Sequence, residues 1–298
     1  MKLESLEVFC EVVRERSFSR AGSSFKISQS AASQLVAHLE EELGFQLINR
    51  KRRPLEPTAA GQLYFQGCCD LLDGYRRMVE DVRRSEGEFS GRVRVASIYS
   101  AGLHTLSGYL RSFMSAHDGA HVRLAYLHPT AVYSAVREGE ADLGVVSYPK
   151  GDRDLEVIPW LEEAMVVACP PTHRLAGRTE ICLEDLGGEN FVAFDRDLKI
   201  RREVDRKLRA AHVRIQVVSE FDNIETIKQA LEISDAVSIV PEASIARDVQ
   251  RGTLAQAQLM GVELRRPVGI VRRKRRELSP TAELFLERLL APAESESA

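Results

Sequence analysis

The chain has 298 residues, which is long for one domain and suits two or three compact units. Its hydrophobic share of 44% is typical of a globular protein with hydrophobic cores. Its net charge of −3 argues against a protein that coats nucleic acid without sequence specificity. No apolar run approaches a membrane span, and the acidic start MKLESLEVF differs from a signal peptide. We therefore expect a cytoplasmic protein with no membrane partner and with five reduced cysteines.

The first elements are three predicted helices. Leu3 to Glu15 carries Leu6, Phe9, Cys10 and Val13 on one face. A short helix from Phe18 to Phe25 and a turn at Ile27-Ser28 follow. Ser28 is a good N-cap for a helix from about Gln29 to Leu43, which stops at Gly44. Two short helices around a tight turn predict a helix-turn-helix.

The exposed face of the third helix offers short polar side chains near its N-terminus, where a recognition helix meets base edges and phosphates. Arg50 to Arg53 follow an apolar run, as a basic wing does. From spacing alone, the alternative is a helical hairpin with a solvated basic loop. The DNA-binding interpretation assigns contacts to Ser28, Gln29, Ser30, Ser33, Gln34, Arg50, Arg52 and Arg53.

Four ordered blocks resemble the N-terminal domain of LysR-type transcriptional regulators. They are Ser17 to Ala21, Ile27 to Ser33, Leu39 to Gly44 and Pro57 to Gly61. Gly22 and Phe25 depart from the usual Ala and Leu, and Gln34 stands where the family often has Arg. The resemblance implies a winged helix-turn-helix, double-stranded DNA as a partner, and Thr58 as the cap of the next helix. We also expect RNA polymerase as a partner.

A long helix is predicted from Thr58 to Phe89. Its apolar residues are spaced 4-3-4-3-4, which is the period of a coiled-coil seam. The seam would pair with the same helix of a second subunit, giving a homodimer or homotetramer, or it would pack on its own chain. The predicted dimerisation residues are Tyr64, Leu71, Tyr75, Met78 and Val82, with Cys68 also in the seam.

From residue 91 strands and helices alternate, which predicts a parallel sheet with helices on both faces. The segment Val136 to Val146 and the segment Ser238 to Pro241 resemble the effector-binding part of the same family. That resemblance implies two α/β subdomains of periplasmic-binding-protein type, joined by two crossing strands. The fold class is therefore α/β with an N-terminal all-α winged helix-turn-helix.

The predicted domain boundaries follow from these segments. Residues 1–57 are the DNA-binding domain, and residues 58–90 are the linker and dimerisation helix with a hinge at its end. Residues 91–292 are the effector-binding domain. Its subdomain I comprises 91–161 and 267–292, and its subdomain II comprises 162–266. Residues 293–298 are expected to be a disordered tail.

Candidate ligand-binding residues stand at strand ends and helix starts, where open α/β folds bind ligands. Capping alone would also explain the hydroxyls of Ser100 and Thr130. A small carboxylate, sulfate or phosphate-bearing molecule is the expected effector if the cations face the cleft. The predicted effector-binding residues are Ser100, Thr130, Ser147, Lys199, Arg201 and Thr226.

The chain lacks a Gly-rich phosphate loop, a nucleophile elbow and a metal-binding His pair. We therefore expect no enzyme activity, no cofactor and no metal. Peroxide-sensing members of the family that the chain resembles carry reactive cysteines in the second subdomain. This chain has Asp197 to Ile200 at the strand-helix connection where such a cysteine would stand, so we expect no thiol-based sensing. The chain is predicted to be a DNA-binding regulator controlled by a small, anionic metabolite. The alternative is a regulator without an effector, whose C-terminal domain serves oligomerisation only.

Overall fold

The computed structural model describes residues 2–85 and 91–291. The chain divides into two compact units, Met1–Phe89 and Ser90–Ala298, and each is described by itself. Residues 86–90 of the predicted hinge, the predicted end of the long helix at Phe89, and the predicted tail 293–298 lie outside the described residues. Within the described part of the chain, no helix is both long enough and apolar enough to span a membrane.

The N-terminal unit is a helical domain with a two-stranded antiparallel wing, as expected. The two wing strands pair Ile48 with Pro57 and Asn49 with Glu56. Its elements are α1 (Leu3–Glu15), α2 (Phe18–Ser24), α3 (Gln29–Leu43), β1 (Ile48–Asn49), β2 (Glu56–Pro57) and α4 (Ala59–Ser85).

Local capping explains where these helices begin and end. The Ser28 hydroxyl accepts a hydrogen bond from the Ala31 amide at 3.1 Å, which confirms the predicted N-cap of α3. Gly44 ends α3 in the left-handed region at φ 79°. The Thr58 hydroxyl accepts from the Gly61 amide at 2.9 Å and so caps α4 as predicted. A Cβ at Gly22 would lie 2.8 Å from the Ile27 carbonyl oxygen, so this departure from Ala permits close packing of α2.

The core of this unit lies where α1 meets the helix-turn-helix and the first half of α4. The thiols of Cys10, Cys68 and Cys69 are buried in it. Hydrogen bonding with Cys68 and Cys69, together with burial, raises the pKa of Cys10. The other buried members include Leu6, Phe9, Val12, Ala32, Val36, Leu39, Leu47, Phe65 and Leu72.

The second unit is an α/β domain with two lobes. The first lobe contains β3 (Gly91–Ser97), a π-helical turn (Ala101–Thr105), α5 (Leu106–Ala116), β4 (Ala120–Tyr126), α6 (Pro129–Arg137), β5 (Leu143–Ser147) and α10 (Pro280–Leu290). The second lobe contains β7 (Glu180–Ile181), β8 (Asn190–Phe194), α7 (Lys199–Ala210), β9 (Gln216–Phe221), α8 (Ile224–Glu232), β10 (Ser238–Pro241), α9 (Glu242–Arg251) and β11 (Ala255–Leu259).

Two long antiparallel strands cross between the lobes, namely β6 (Leu155–Cys169) and β12 (Arg265–Arg273). The first part of β6 pairs with β12, and its end pairs with β10 and β11. The main sheet has the order β4-β3-β5-β12-β6-β11-β7. The predicted parallel sheet is present in β3, β4 and β5, but the sheet as a whole is mixed. β3 is parallel to β4 and β5, whereas the crossing strands return antiparallel because each must connect both lobes.

Candidate functional site

The start of α3 presents an open polar surface in the N-terminal unit. Ser28, Gln29, Ser30 and Gln34 are exposed, and Ser33 is half-buried. The hydroxyls of Ser28 and Ser30 lie 2.8 Å apart, so part of this surface is ordered by local hydrogen bonds. The buried residues of the same helix hold the opposite face against the core. All five predicted polar residues are therefore accessible on or beside one helix start.

The wing arginine Arg50 folds back on α3. It donates to the Ser33 hydroxyl at 2.8 Å and to the Glu40 carboxylate at 3.0 Å, and it lies 5.2 Å from the centre of the Phe18 ring. Glu40 also accepts from the amides of Leu47 and Ile48. These contacts fix the position of the wing relative to the start of α3.

The other two predicted wing residues are more exposed. Arg52 pairs with Glu56 at 2.6 Å, and Arg53 donates to the backbone carbonyls of Arg50 and Arg52. Exposed pairs of this kind contribute little to stability, so their guanidinium groups are available to exchange partners. Together with Arg50 they place three positive side chains on one loop beside α3.

The predicted seam on α4 divides into two parts. Tyr64 is half-buried against the unit's own core and lies 5.5 Å from the Phe9 ring, so its assignment to a subunit contact is not supported by the geometry. Cys68 is buried in the same core. The rest of the seam is exposed, with fractions between 46% and 59%, and comprises Leu71, Tyr75, Met78 and Val82.

A cavity of about 220 Å³ lies between the two lobes of the second unit. Its walls include apolar side chains from both lobes, among them Ile98, Leu127, Phe194 and Ile224. Four of the six predicted effector-binding residues line this cavity, namely Ser100, Thr130, Ser147 and Lys199.

Ser100 and Thr130 do not cap their helices. The Ser100 hydroxyl accepts from the Arg266 guanidinium at 2.7 Å, and the π-helical turn that follows it has no side-chain cap. Thr130 lies inside α6, and its hydroxyl is 2.9 Å from the His128 ring nitrogen Nδ1. The capping explanation therefore fails for both residues, and their hydroxyls belong to the polar lining of the cavity.

Arg266 is the most deeply buried cation of the lining, with 2% of its surface exposed. Its Nε donates to the Glu163 carboxylate at 2.7 Å, and Glu163 also accepts from Thr105 at 3.0 Å. Arg266 lies on β12 and Glu163 on β6, so this buried ion pair joins the two crossing strands. The sequence prediction missed it, because it sought ligand-binding residues after strand ends, whereas Glu163 lies within β6 and Arg266 lies near the start of β12.

Two predicted effector-binding residues lie outside the cavity lining. Arg201 is buried and donates to Asp205 at 2.9 Å, to Glu220 at 3.0 Å and to the Phe194 carbonyl. It points away because successive residues of a helix face different directions. Thr226 donates to the Asn223 side chain at 3.0 Å, within the cap of α8. Neither side chain is placed to meet a molecule in the cavity.

Arg202 and Lys150 were not among the predicted residues, but both line the cavity, whereas Arg201 does not. Lys199 donates to the backbone carbonyl of Tyr148 at 2.6 Å. Burial and the like charges of Lys150 and Arg202 lower the pKa of Lys199. Arg202 could have been predicted, since it lies three residues after Lys199 and therefore on the same face of α7.

Side-chain pairs bridge the two lobes. His104 Nε2 of the first lobe is 2.8 Å from Glu225 of the second, and His128 Nε2 is 3.4 Å from Asp197. Together with the bond from Lys199 to Tyr148, they give three polar connections across the gap between the lobes. The contact between His128 and Asp197 and the bond from Lys199 to Tyr148 involve residues of the cavity lining, so a molecule in the cavity would meet these two connections.

The cysteines of the second unit lie apart from this cavity lining. Cys169 is buried, and burial raises its pKa to about 11, whereas Cys182 is exposed. Among residues 2–85 and 91–291, no group of three or more His, Cys, Asp or Glu side chains is arranged to hold a metal ion.

Two family models match the chain over the regions just described. The "bacterial regulatory helix-turn-helix protein, lysR family" model matches residues 3–62, and the "LysR substrate binding domain" model matches residues 86–293. The chain belongs to the LysR family. It is a LysR-type DNA-binding regulator with an effector-binding domain, as the resemblance implied.

Full-length relatives are similar across almost the whole LysR-type chain. The regulator CysL of Bacillus subtilis is 22% identical over 99% of this chain and 99% of its own length. A RuBisCO operon transcriptional regulator of Allochromatium vinosum is 27% identical over 98% of this chain and 97% of its own length.

Solved structures share the fold. A full-length OxyR variant of Pseudomonas aeruginosa has a TM-score of 0.74 at 19% identity, covering 97% of this chain and 93% of that one. Full-length CbnR in complex with its target DNA has a TM-score of 0.69 at 20% identity, covering 97% and 99%. The regulatory domain of Synechocystis CcmR in complex with 2-PG has a TM-score of 0.62 at 25% identity, covering 70% and 99%.

Proposed function

We propose that this LysR-type regulator binds a partly palindromic DNA site through α3 and the wing. We further propose that a small anionic molecule in the cavity changes its binding to DNA. The observation that carries the effector part is the cavity between the lobes, which is lined by cations and hydroxyls and bridged by polar pairs. A ligand that replaces these pairs would favour one arrangement of the lobes over another.

The DNA part is supported by the accessible start of α3 and the three arginines beside it. CbnR, which has a similar fold, is solved with its target DNA. In our proposal Gln29, Ser30 and Gln34 read base edges, whereas Arg50, Arg52 and Arg53 contact phosphates. Arg50 would exchange its pairing with Glu40 for a phosphate.

The DNA assignment is tested by binding to the region upstream of the protein's own gene at two salt concentrations. Replacing Arg50 and Arg52 by Ala should weaken binding to all sequences and flatten the salt dependence. Gln29→Ala should instead change the preference among sites. Unchanged binding in all these variants would contradict the assignment of α3 and the wing.

We propose that α4 pairs with its counterpart in a second subunit through the exposed seam Leu71, Tyr75, Met78 and Val82. Four large apolar side chains at heptad spacing would be buried against the same residues of a second subunit. Such a dimer also presents two copies of α3 to two DNA half-sites. Met78→Glu should shift the mass measured by light scattering to that of a smaller assembly. Asp70→Glu, an exposed change off the seam, should not.

The effector part has a direct alternative, in which the second unit serves assembly only. CcmR, whose regulatory domain has a similar fold, binds 2-PG, which favours a ligand role for the cavity. Thermal unfolding and DNA binding measured with a broad panel of metabolites separate the two. A compound that raises the melting temperature and changes DNA binding supports effector control. No response to any compound supports the alternative.

A further inference from the structure

Three cations in the cavity lining form a group that can define the chemical class of the proposed anionic ligand. Lys150 follows the last strand of the first lobe, and Lys199 and Arg202 belong to the first turn of α7 in the second. Residues three apart in a helix lie on the same face, so Lys199 and Arg202 act together. Positive charges from both lobes therefore meet at one end of the cavity.

This group has little negative charge to balance it. Lys199 donates to a backbone carbonyl, that of Tyr148. Arg202 donates to the backbone carbonyls of Asp197 and Arg196, at 2.7 Å and 3.4 Å. Carbonyl oxygens satisfy the donors without cancelling their charge. Burial lowers the pKa of Lys199, and the like charges of Lys150 and Arg202 lower it further.

The carboxylates of the same cavity are engaged elsewhere. Asp197 lies 3.4 Å from the His128 ring, and its side chain is 65% exposed. Asp222 accepts from the Asn223 side chain at 3.1 Å. Arg266, the fourth cation, is already paired with Glu163. Neither Asp197 nor Asp222 forms an ion pair with Lys150, Lys199 or Arg202, and the charges that act on Lys199 are the like charges of Lys150 and Arg202.

The backbone at this end adds anion-binding groups. α7 begins after Leu198, whose side chain cannot accept a hydrogen bond, and no side chain caps the helix. The first amides of a 12-residue helix carry a partial positive charge that favours anions. Apolar walls formed by Ile98, Leu127 and Ile224 continue from this end and suit an organic body.

We propose that the effector is an organic phosphate monoester whose dianionic group is held by Lys150, Lys199 and Arg202. This inference rests on the effector role proposed above and names the chemical class of the ligand. A phosphate monoester has two negative charges and three terminal oxygens, which match three cationic donors. Because Lys150 and the α7 residues come from different lobes, the bound group would hold the lobes together.

Methyl phosphate and methyl sulfate test the proposal on the full-length protein, because they share a shape and differ by one charge. Calorimetry at pH 8 and matched ionic strength should show methyl phosphate binding at least about tenfold more tightly. The second pKa of a phosphate monoester is about 6, so this ratio should fall towards one at pH 5.

Single charge removals locate the site. Lys150→Gln and Arg202→Gln should each weaken methyl phosphate binding by about tenfold, since a charge-assisted hydrogen bond is lost. Arg209→Gln is the matched control, because Arg209 is exposed near the other end of α7 and outside the cavity lining. Its affinity for methyl phosphate should stay within about twofold of the unmodified protein.

Chemical protection gives a second readout. Lys199 has a lowered pKa and should react readily with an acetylating reagent. Methyl phosphate should slow acetylation of Lys150 and Lys199, measured by mass spectrometry, and leave Lys207 in the later part of α7 unaffected. Equal protection of all three lysines would overturn the assignment.

Other outcomes also overturn the inference. Three results would each exclude a phosphate monoester site. They are equal affinity for methyl phosphate and methyl sulfate, undetectable binding of methyl phosphate, and tighter binding of malonate or glycine than of methyl phosphate. If a compound of another class then changes DNA binding, effector control stands and only the ligand class is wrong. If no compound in the metabolite panel binds, effector control fails as well.

Discussion

The two units use arginine in opposite ways. Arg50 in the wing has 39% of its side chain exposed, and it contacts the half-buried Glu40 and Ser33. Arg266 in the second unit has 2% of its side chain exposed and is bonded to Glu163 and Ser100. A surface guanidinium can exchange a carboxylate for a phosphate at little cost, whereas a buried one cannot. Burial therefore separates arginines that can bind a partner from arginines that hold the fold.

The sharpest test of this difference is the removal of Arg266. Arg266→Met leaves Glu163 buried and unpaired, and it should lower the free energy of unfolding of the second unit by about 3–5 kcal/mol. Arg265→Met is the control, since this neighbour on β12 is exposed and pairs with exposed Glu263. Urea unfolding should show a loss of less than about 1 kcal/mol for the control. Equal losses would show that burial is not the deciding factor.

The N-terminal unit should depend on close backbone packing more than on any charge. A Cβ at Gly61 would overlap the backbone carbonyl of Leu47, so Gly61→Ala should cost about 1–3 kcal/mol. Gly67 is on the same helix and has open space around it, so Gly67→Ala should stabilise by about 0.5–1 kcal/mol. Thermal unfolding of both variants measures the difference. A stabilised Gly61→Ala variant would disprove the packing argument.

Arg50 should matter for DNA and hardly for stability. Arg50→Met should change the free energy of unfolding by less than about 1 kcal/mol, because the pair with Glu40 is partly exposed. The same variant should weaken DNA binding and reduce the slope of log affinity against log salt concentration by about one, as expected for the loss of one phosphate contact. A large loss of stability would place Arg50 in the same class as Arg266.

The smallest effect concerns Asp152, an exposed carboxylate in the second unit. The amides of Asp154 and Leu155 and the Arg137 guanidinium lower its pKa to about 2. A depressed folded pKa gives stability that is present above the ordinary pKa near 3.8 and is lost as pH falls towards 2. NMR titration of the carboxyl carbons should show this low pKa. Asp152→Asn should remove the corresponding pH dependence of stability, and Asp118→Asn should not.

The polar surface at the start of α3 was largely predictable from sequence, because it is built from local signals. Ser28, Gly44 and Thr58 are caps whose roles follow from residue type and spacing, and the structure has all three. The exposed polar start of α3 follows from the same helical period. The split of the α4 seam was not predictable, because burial of Tyr64 and Cys68 depends on α1 folding against that helix.

The cavity shows the limit of sequence reasoning. Ser100, Thr130, Ser147 and Lys199 were found because strand ends and helix starts converge in an open α/β fold. Arg201 lies outside the cavity lining and Arg202 lies in it, since a one-residue difference turns a helical side chain by about 100°.

The family, the order of elements and the helix caps all follow from residue types and their spacing along the chain. Two features of the second unit do not. Arg266 meets Glu163, and Lys150 joins Lys199 and Arg202 in one cavity lining, only once the chain has folded. Their partners are far apart in sequence, so no local pattern could have paired them.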